Sequence, residues 1–164
     1  MNAAQLHLLV NHIPIFGVAF GLAALLWSLA RGSKDMRWAS IALFLVSGAF
    51  AWVAVESGER AEDLVENLPG VVKSLIHDHE EAAETTNVSI ILLAALSLVM
   101  AAAARFKPAL FKGVQVLVVV LALVSSVLLA RTAHRGGLIR HTEIRGAAAG
   151  NTQGEGRATN EEDD

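Results

Sequence analysis

The sequence has no cysteine and no tyrosine, three prolines, and aromatic residues at only 5% of its 164 positions. Without cysteine there can be no disulfide, thiolate metal site, covalent c-type haem attachment or thiol-linked lipid. Phosphate-binding glycine loops and nucleic-acid motifs are missing, so no nucleic acid is expected as a partner. No serine or threonine sits in a nucleophile motif, which leaves hydrolase chemistry without a candidate residue. Charge is absent from four long runs: residues 13–30, 38–55, 88–104 and 114–130.

Those four runs are what the chain has in quantity. Apolar residues reach 54% and the mean hydropathy is +0.49, above the roughly 45–50% apolar content of soluble domains. Each run is close to the ~20 residues an α-helix needs to cross a hydrocarbon core. A soluble bundle would need a polar face on every helix. The expected fold is therefore all-α: an integral membrane four-helix bundle in the lipid bilayer, with a partly helical outer loop and a disordered tail. Residues 1–145 form the transmembrane domain, and the Gly-, Ala- and acid-rich residues 146–164 form the disordered acidic tail. The leader before the first run has no Lys or Arg, so that run does not read as a cleaved signal.

Along the chain, Asn2 and Gln5 have the spacing of an N-cap and its reciprocal partner, so a helix can begin before the first run. Pro14 should kink it, because proline cannot donate to the Val10 carbonyl. Gly17 and Gly21 offer small surfaces for close helix packing. The two short turns carry Arg31, Lys34, Arg37 and Arg105, Lys107, Lys112 with one acid, Asp35. The positive-inside rule places both in the cytoplasm. The connection from Glu56 to Glu84 has nine acids against Arg60 and Lys73, a net charge of −7, and belongs outside. Arg131, Arg135, Arg140 and Arg145 oppose this, but four spans put both termini on one side. The expectation is a multi-pass bacterial cytoplasmic (inner) membrane protein, with both termini and residues 56–87 outside.

Within the outer connection, Ala61, Leu64, Val65 and Leu68 recur at helical spacing. They predict a short amphipathic helix on the membrane surface, stopped by Asn67-Leu68-Pro69-Gly70. Helix then resumes near Val71 and continues into the third run.

This topology gathers all six histidines, His7, His12, His77, His79, His134 and His141, on the outer side. A lone histidine there is usually an interfacial polar group; six together call for a further account. His77 shares a charged face with Lys73, Glu80, Glu81 and Glu84, whereas His79 aligns with Ile76, Ala82, Ala83 and Thr86 and should pack inward. Glu80 follows His79 but should point elsewhere. His134 lies one turn beyond the fourth run, before Gly136-Gly137, which either stops the helix or lets another group approach its backbone. His7 and His12 lie about 140° apart on a regular helix, so both can reach one centre only if the helix starts late. A competing set is acidic: Glu59, Glu62 and Glu80, either a solvated loop face or part of a mixed His/Glu metal site.

Two short elements resemble a known family. His7-Leu8-Leu9-Val10-Asn11-His12-Ile13-Pro14-Ile15 and His134-Arg135-Gly136-Gly137-Leu138-Ile139 look like the His-x4-His-Phe-Pro-Ile and Gly-Gly-x-Leu-Val signatures of small bacterial four-helix membrane proteins classed as a domain of unknown function. Gly58-Glu59, Ala61-Glu62 and His79-Glu80-Glu81-Ala82-Ala83 are similar to further family elements, and the resemblance spans roughly residues 6–145. Leu8 stands where relatives often have Pro, Ile13 replaces the Phe before the proline, and the segment after Gly137 differs. The resemblance implies a b-type-cytochrome-like role, because relatives occur beside or fused to cytochrome-like domains. It carries His12, His79, His134 and His7 over as cofactor residues.

The leading expectation is a membrane-embedded haem b protein passing electrons near the outer face, with cytochrome or respiratory-complex partners. Neutral imidazoles on facing helices suit axial iron ligation without cysteine, with His12 paired to His134, or His79 to one of them. The alternatives are a Cu, Zn or Fe ion held by His12, His79 or His134 with Glu59, Glu62 or Glu80, and a structural subunit of a larger membrane complex. An electron-transfer or binding protein is expected rather than a stand-alone enzyme.

Overall fold

A computed structural model describes residues 1–145, so the expected tail at residues 146–164 lies outside the described residues. The elements are α1 (Ala3–Val10), α2 (His12–Arg31), α3 (Lys34–Val65), α4 (Lys73–Phe106) and α5 (Pro108–Arg140), followed by a 3-10 turn at Thr142–Ile144. Counting α1 and α2 as one broken rod, four helices of 29 to 34 residues are long and apolar enough to cross a membrane. The chain is thus an all-α, multi-pass helical bundle. Helices α2, α3, α4 and α5 pack in a ring in chain order, with α2 closing on α5, while α1 lies against α3.

Local chemistry sets the ends. Asn2 and Gln5 form the reciprocal cap expected of them, with Gln5 N donating to Asn2 Oδ1 at 2.9 Å and Asn2 N to Gln5 Oε1 at 3.1 Å. The helix breaks at Asn11, whose N–H still reaches the His7 carbonyl, and restarts at His12. The break falls where Pro14 has no N–H for the Val10 carbonyl. Gly32 ends α2 at φ 67°, and Ser33 caps α3 by accepting from Met36 N at 3.3 Å. Pro108 opens α5 at a position where its missing N–H costs no bond. Gly70, at φ 80°, turns the chain between α3 and α4.

The core is built from Val18, Leu25, Phe44, Ile90, Leu93, Met100, Val118 and Ala122, all buried. Large apolar residues such as Phe20, Trp27, Trp52, Leu117 and Val127 point outward instead, the arrangement a lipid solvent favours because burial from hydrocarbon brings no hydrophobic gain. Several buried serines bond within their own helices: Ser47 Oγ donates to the Leu43 carbonyl and Ser97 Oγ to that of Ala94, both at 2.7 Å, whereas Ser125 Oγ is buried without a protein partner.

One expectation is corrected. Residues 61–68 do not make a separate surface helix, because α3 runs unbroken through the end of its uncharged run to Val65, burying Ala61 and exposing Leu64. Once the backbone is helical at Val55, continuing costs less than breaking and renucleating, and the stop comes only at the Pro69-Gly70 turn. All four helices outlast their uncharged runs, α3, α4 and α5 by ten or more residues at one end, since charge limits the hydrocarbon segment but not the helix. Of the two roles open to Gly136-Gly137, stopping the helix is not the one taken, since α5 continues to Arg140 and Gly136 lies against the His79 ring.

Two of the four late arginines bond backbone carbonyls, one across helices and one as a cap. Arg135 Nη1 donates to the Asp78 carbonyl at 2.7 Å. Arg145 donates to the Leu138 and Ile139 carbonyls, each at 2.7 Å, and to that of Gly70 at 3.0 Å, closing the end of α5.

Candidate functional site

At the bundle end opposite the two short turns, the helices part around a cavity of about 630 Å³, within the ~300–1,000 Å³ typical of small-molecule sites. Leu8, Ile15, Val55, Ile76, Leu129 and Ile139 supply apolar wall. His7 enters from α1, His12 from the start of α2, and His79 from α4. The helix does not start late, since α1 begins at Ala3, yet His7 and His12 both line this space, on either side of the interruption at Asn11.

His7 and His79 face each other across the cavity, with ring centres 6.5 Å apart and planes at 90°. Each is tied to a different helix by the same kind of bond. His7 Nδ1 lies 2.8 Å from the Ala54 carbonyl of α3, and His79 Nδ1 lies 3.1 Å from the Thr132 carbonyl of α5. A carbonyl can only accept, so Nδ1 carries the proton in both rings, and in the neutral imidazole Nε2 keeps its lone pair. Histidines that bind metals characteristically donate their second nitrogen this way. The Thr132 anchor is itself braced: its Oγ1 is 2.8 Å from Thr86 Oγ1 and donates to the Ala82 carbonyl at 3.1 Å.

The remaining expected residues fall as follows. His12 lines the cavity from an exposed position and stacks on Phe16, with centres 6.4 Å apart. His134 is exposed and does not line the cavity, so it faces neither His12 nor His79. Its helical phase carries it past the groove, while Gly136, two residues on, lies against the ring of His79. His77 is exposed, as expected, and His141 pairs with Glu143 at 2.8 Å on the surface. Glu59, Glu62 and Glu80 all line the cavity; Glu80 therefore shares it with His79 rather than pointing elsewhere.

Several lining residues gave no signal in the sequence. Asn11 and Asn87 border the cavity, each with an amide oxygen that is buried and lacks a protein donor. An unmet buried acceptor costs about 1–3 kcal/mol, so both are positioned to accept from, or with the amide turned donate to, a bound molecule. Isolated asparagines have no motif spacing to announce them. Arg140 is the one lysine or arginine among the described residues that line the cavity.

No group of three or more His, Cys, Asp or Glu side chains close enough to hold a metal ion occurs among the described residues. The donor set is a two-histidine pair. No protein-family model, characterised protein or solved structure matches this chain, and the site stands on its geometry.

Proposed function

We propose that the protein is a membrane-embedded b-type haem protein that carries electrons near the outer face of the membrane, with His7 and His79 as the axial ligand pair. The observation that carries this reading is the facing pair itself. Two imidazoles from different helices have Nδ1 occupied by backbone carbonyls and Nε2 left over, inside a largely apolar cavity. The ring centres lie 6.5 Å apart, so the two imidazoles would be the residues to hold one iron between them. A planar tetrapyrrole supplies the other ligands to its iron, so two histidines suffice. A protein-held zinc or copper ion needs three or four side-chain ligands, which favours haem over the Cu, Zn or Fe ion alternative. Haem, when bound, supplies one-electron redox chemistry; the chain's part is to hold the ring nitrogens, wall off water with apolar side chains and tune the charge around the site.

The same reading orients the molecule. The short turns with Arg31, Lys34, Arg37, Arg105, Lys107 and Lys112 lie in the cytoplasm, while the cavity, both termini and the acidic 56–87 segment face outward from a bacterial inner membrane. Arg135 and Arg145 weigh little against this, being engaged with backbone carbonyls. A cytochrome or respiratory complex would be the redox partner. The test is an optical spectrum of the purified protein, as isolated and after dithionite, from cells supplied with haem. A Soret band with sharpened α and β bands on reduction is expected. A featureless visible spectrum overturns the proposal.

A further inference from the structure

We infer that Gly58 and Gly136 are the positioning residues of the histidine pair: each uncovers one helical carbonyl for an imidazole and thereby makes Nε2 the nitrogen both rings offer to the cavity. The metal in this account rests on the haem reading above; the ring seating and its tautomers do not.

The two seats are built alike. The carbonyl that holds His7 belongs to Ala54, and the glycine against the same ring is Gly58, four residues later. The carbonyl that holds His79 belongs to Thr132, and the glycine against that ring is Gly136, again four residues later. On an α-helix a side chain covers the turn N-terminal to its own Cα, so residue i+4 normally shields the carbonyl of residue i. That carbonyl already accepts the helical N–H of residue i+4. With glycine at i+4 its second lone pair is open, and a neighbouring ring can lie flat enough to donate. In α3, Ser57 Oγ also reaches the Ala54 carbonyl, at 3.1 Å, without displacing the imidazole.

A Cβ on Gly136 would stand 2.9 Å from His79 Cε1 and 3.2 Å from its Nδ1; one on Gly58 would stand 3.2 Å from both Cε1 and Nδ1 of His7. The first distance is shorter than real Cβ contacts, and the atom in the way ends a rotatable side chain. The ring yields, not the helix, and in yielding leaves its carbonyl. At Gly58 the ring needs to give only slightly. The adjacent Gly137 has no such role, since a Cβ there meets only Ile144 Cδ1 at 3.7 Å, an ordinary contact. Two neighbouring glycines thus differ in function because one lies four residues after a shared carbonyl and faces a ring.

The test uses the full-length protein with 15N-labelled histidine in detergent, before and after haem loading. Nitrogen-detected spectra read each ring's tautomer, and optical titration reads haem retention. In the haem-free wild type, His7 and His79 should both show protonated Nδ1. Gly136→Ala should abolish that signal for His79 and weaken haem retention by about 10–100-fold, the usual effect of losing a ligand's orienting partner. Gly58→Ala should do the same to His7 in smaller measure, and Gly137→Ala should leave both signals intact. Gly136→Ala with unchanged tautomers and haem retention overturns the inference. Adding His79→Ala controls for folding: the methyl then has no ring to meet, so the double variant should be as stable as His79→Ala alone, and lower stability would assign Gly136 to helix packing instead. A wild type with both Nδ1–H tautomers and no haem affinity keeps the seats and overturns the haem reading.

Discussion

Below the cavity, glycine admits other helices; around it, glycine admits imidazoles. Gly17 faces Ser47, Gly21 lies against the ring of Phe44, and a Cβ on Gly48 would stand 2.9 Å from that of Ala94. There the small residues bring α2, α3 and α4 close enough for dispersion contacts, the main attraction left between helices in lipid. Gly58 lies further along α3 and Gly136 near the end of α5, and what each receives is a polar ring, from α1 or α4. One half of the bundle is therefore closed by contact and the other held open around 630 Å³ of space. Stability and binding are separated along the helix axis, and mutations should separate them too.

The largest expected effect is on binding alone. His7→Ala or His79→Ala should remove the reduced-minus-oxidised haem signal, while His134→Ala should keep it, because His134 lies outside the cavity. Dithionite difference spectra at equal protein would decide; loss in His134→Ala together with retention in His7→Ala would reassign the pair. The converse breakage is Phe44→Ala, in the closed half. Truncating that fully buried ring should cost about 3 kcal/mol, the low end for such a change, because the unfolded reference in lipid or micelle is itself apolar. Reversible unfolding in mixed micelles measures it, and haem bound per folded molecule should not change.

A smaller loss is expected from Gly21→Ala. Its methyl would lie 2.6 Å from Phe44 Cε1, and overpacking of this kind costs about 1–3 kcal/mol. Equal stability of Gly21→Ala and wild type would show that the closed half has slack that its contacts do not reveal. The smallest effect concerns the connection that roofs the cavity half. Lys73 Nζ donates to Glu66 Oε2 at 2.9 Å, and this hydrogen bond, with help from Asn67 and the Lys73 charge, holds the Glu66 carboxyl below its ordinary range. Its native pKa is lower than its unfolded one, so the contribution is fully present above the unfolded carboxyl value and disappears as pH falls through the lowered native value. Hydrogen exchange across residues 66–72 should quicken in that acidic window, and Glu66→Gln should remove the dependence.

The four spans were legible because a hydrocarbon solvent writes a coarse rule into sequence: long uncharged runs, with polar residues confined to their ends. The cap at Asn2 and the turn at Gly70 follow local backbone chemistry, which reads equally well in one dimension. His79 was separable from His77 by helical phase, since Ile76, Ala82 and Thr86 share its buried face. Phase gave no help between helices. It offered His12 or His134, and not His7, as the partner of His79, and it put Glu80 on the wrong side because the cavity wall is wider than one helical stripe.

What the sequence by itself determined, then, is the number of spans, where the chain turns, and that six histidines gather at one end of the bundle. Which two of them meet was decided only by tertiary structure. His7 of α1 meets the Ala54 carbonyl of α3, and His79 of α4 meets the Thr132 carbonyl of α5. Both depend on how far one helix is rotated and slid against another. That register is fixed by packing among distant residues, Gly21 on Phe44 and Gly48 on Ala94 among them, and no local spacing along the chain records it.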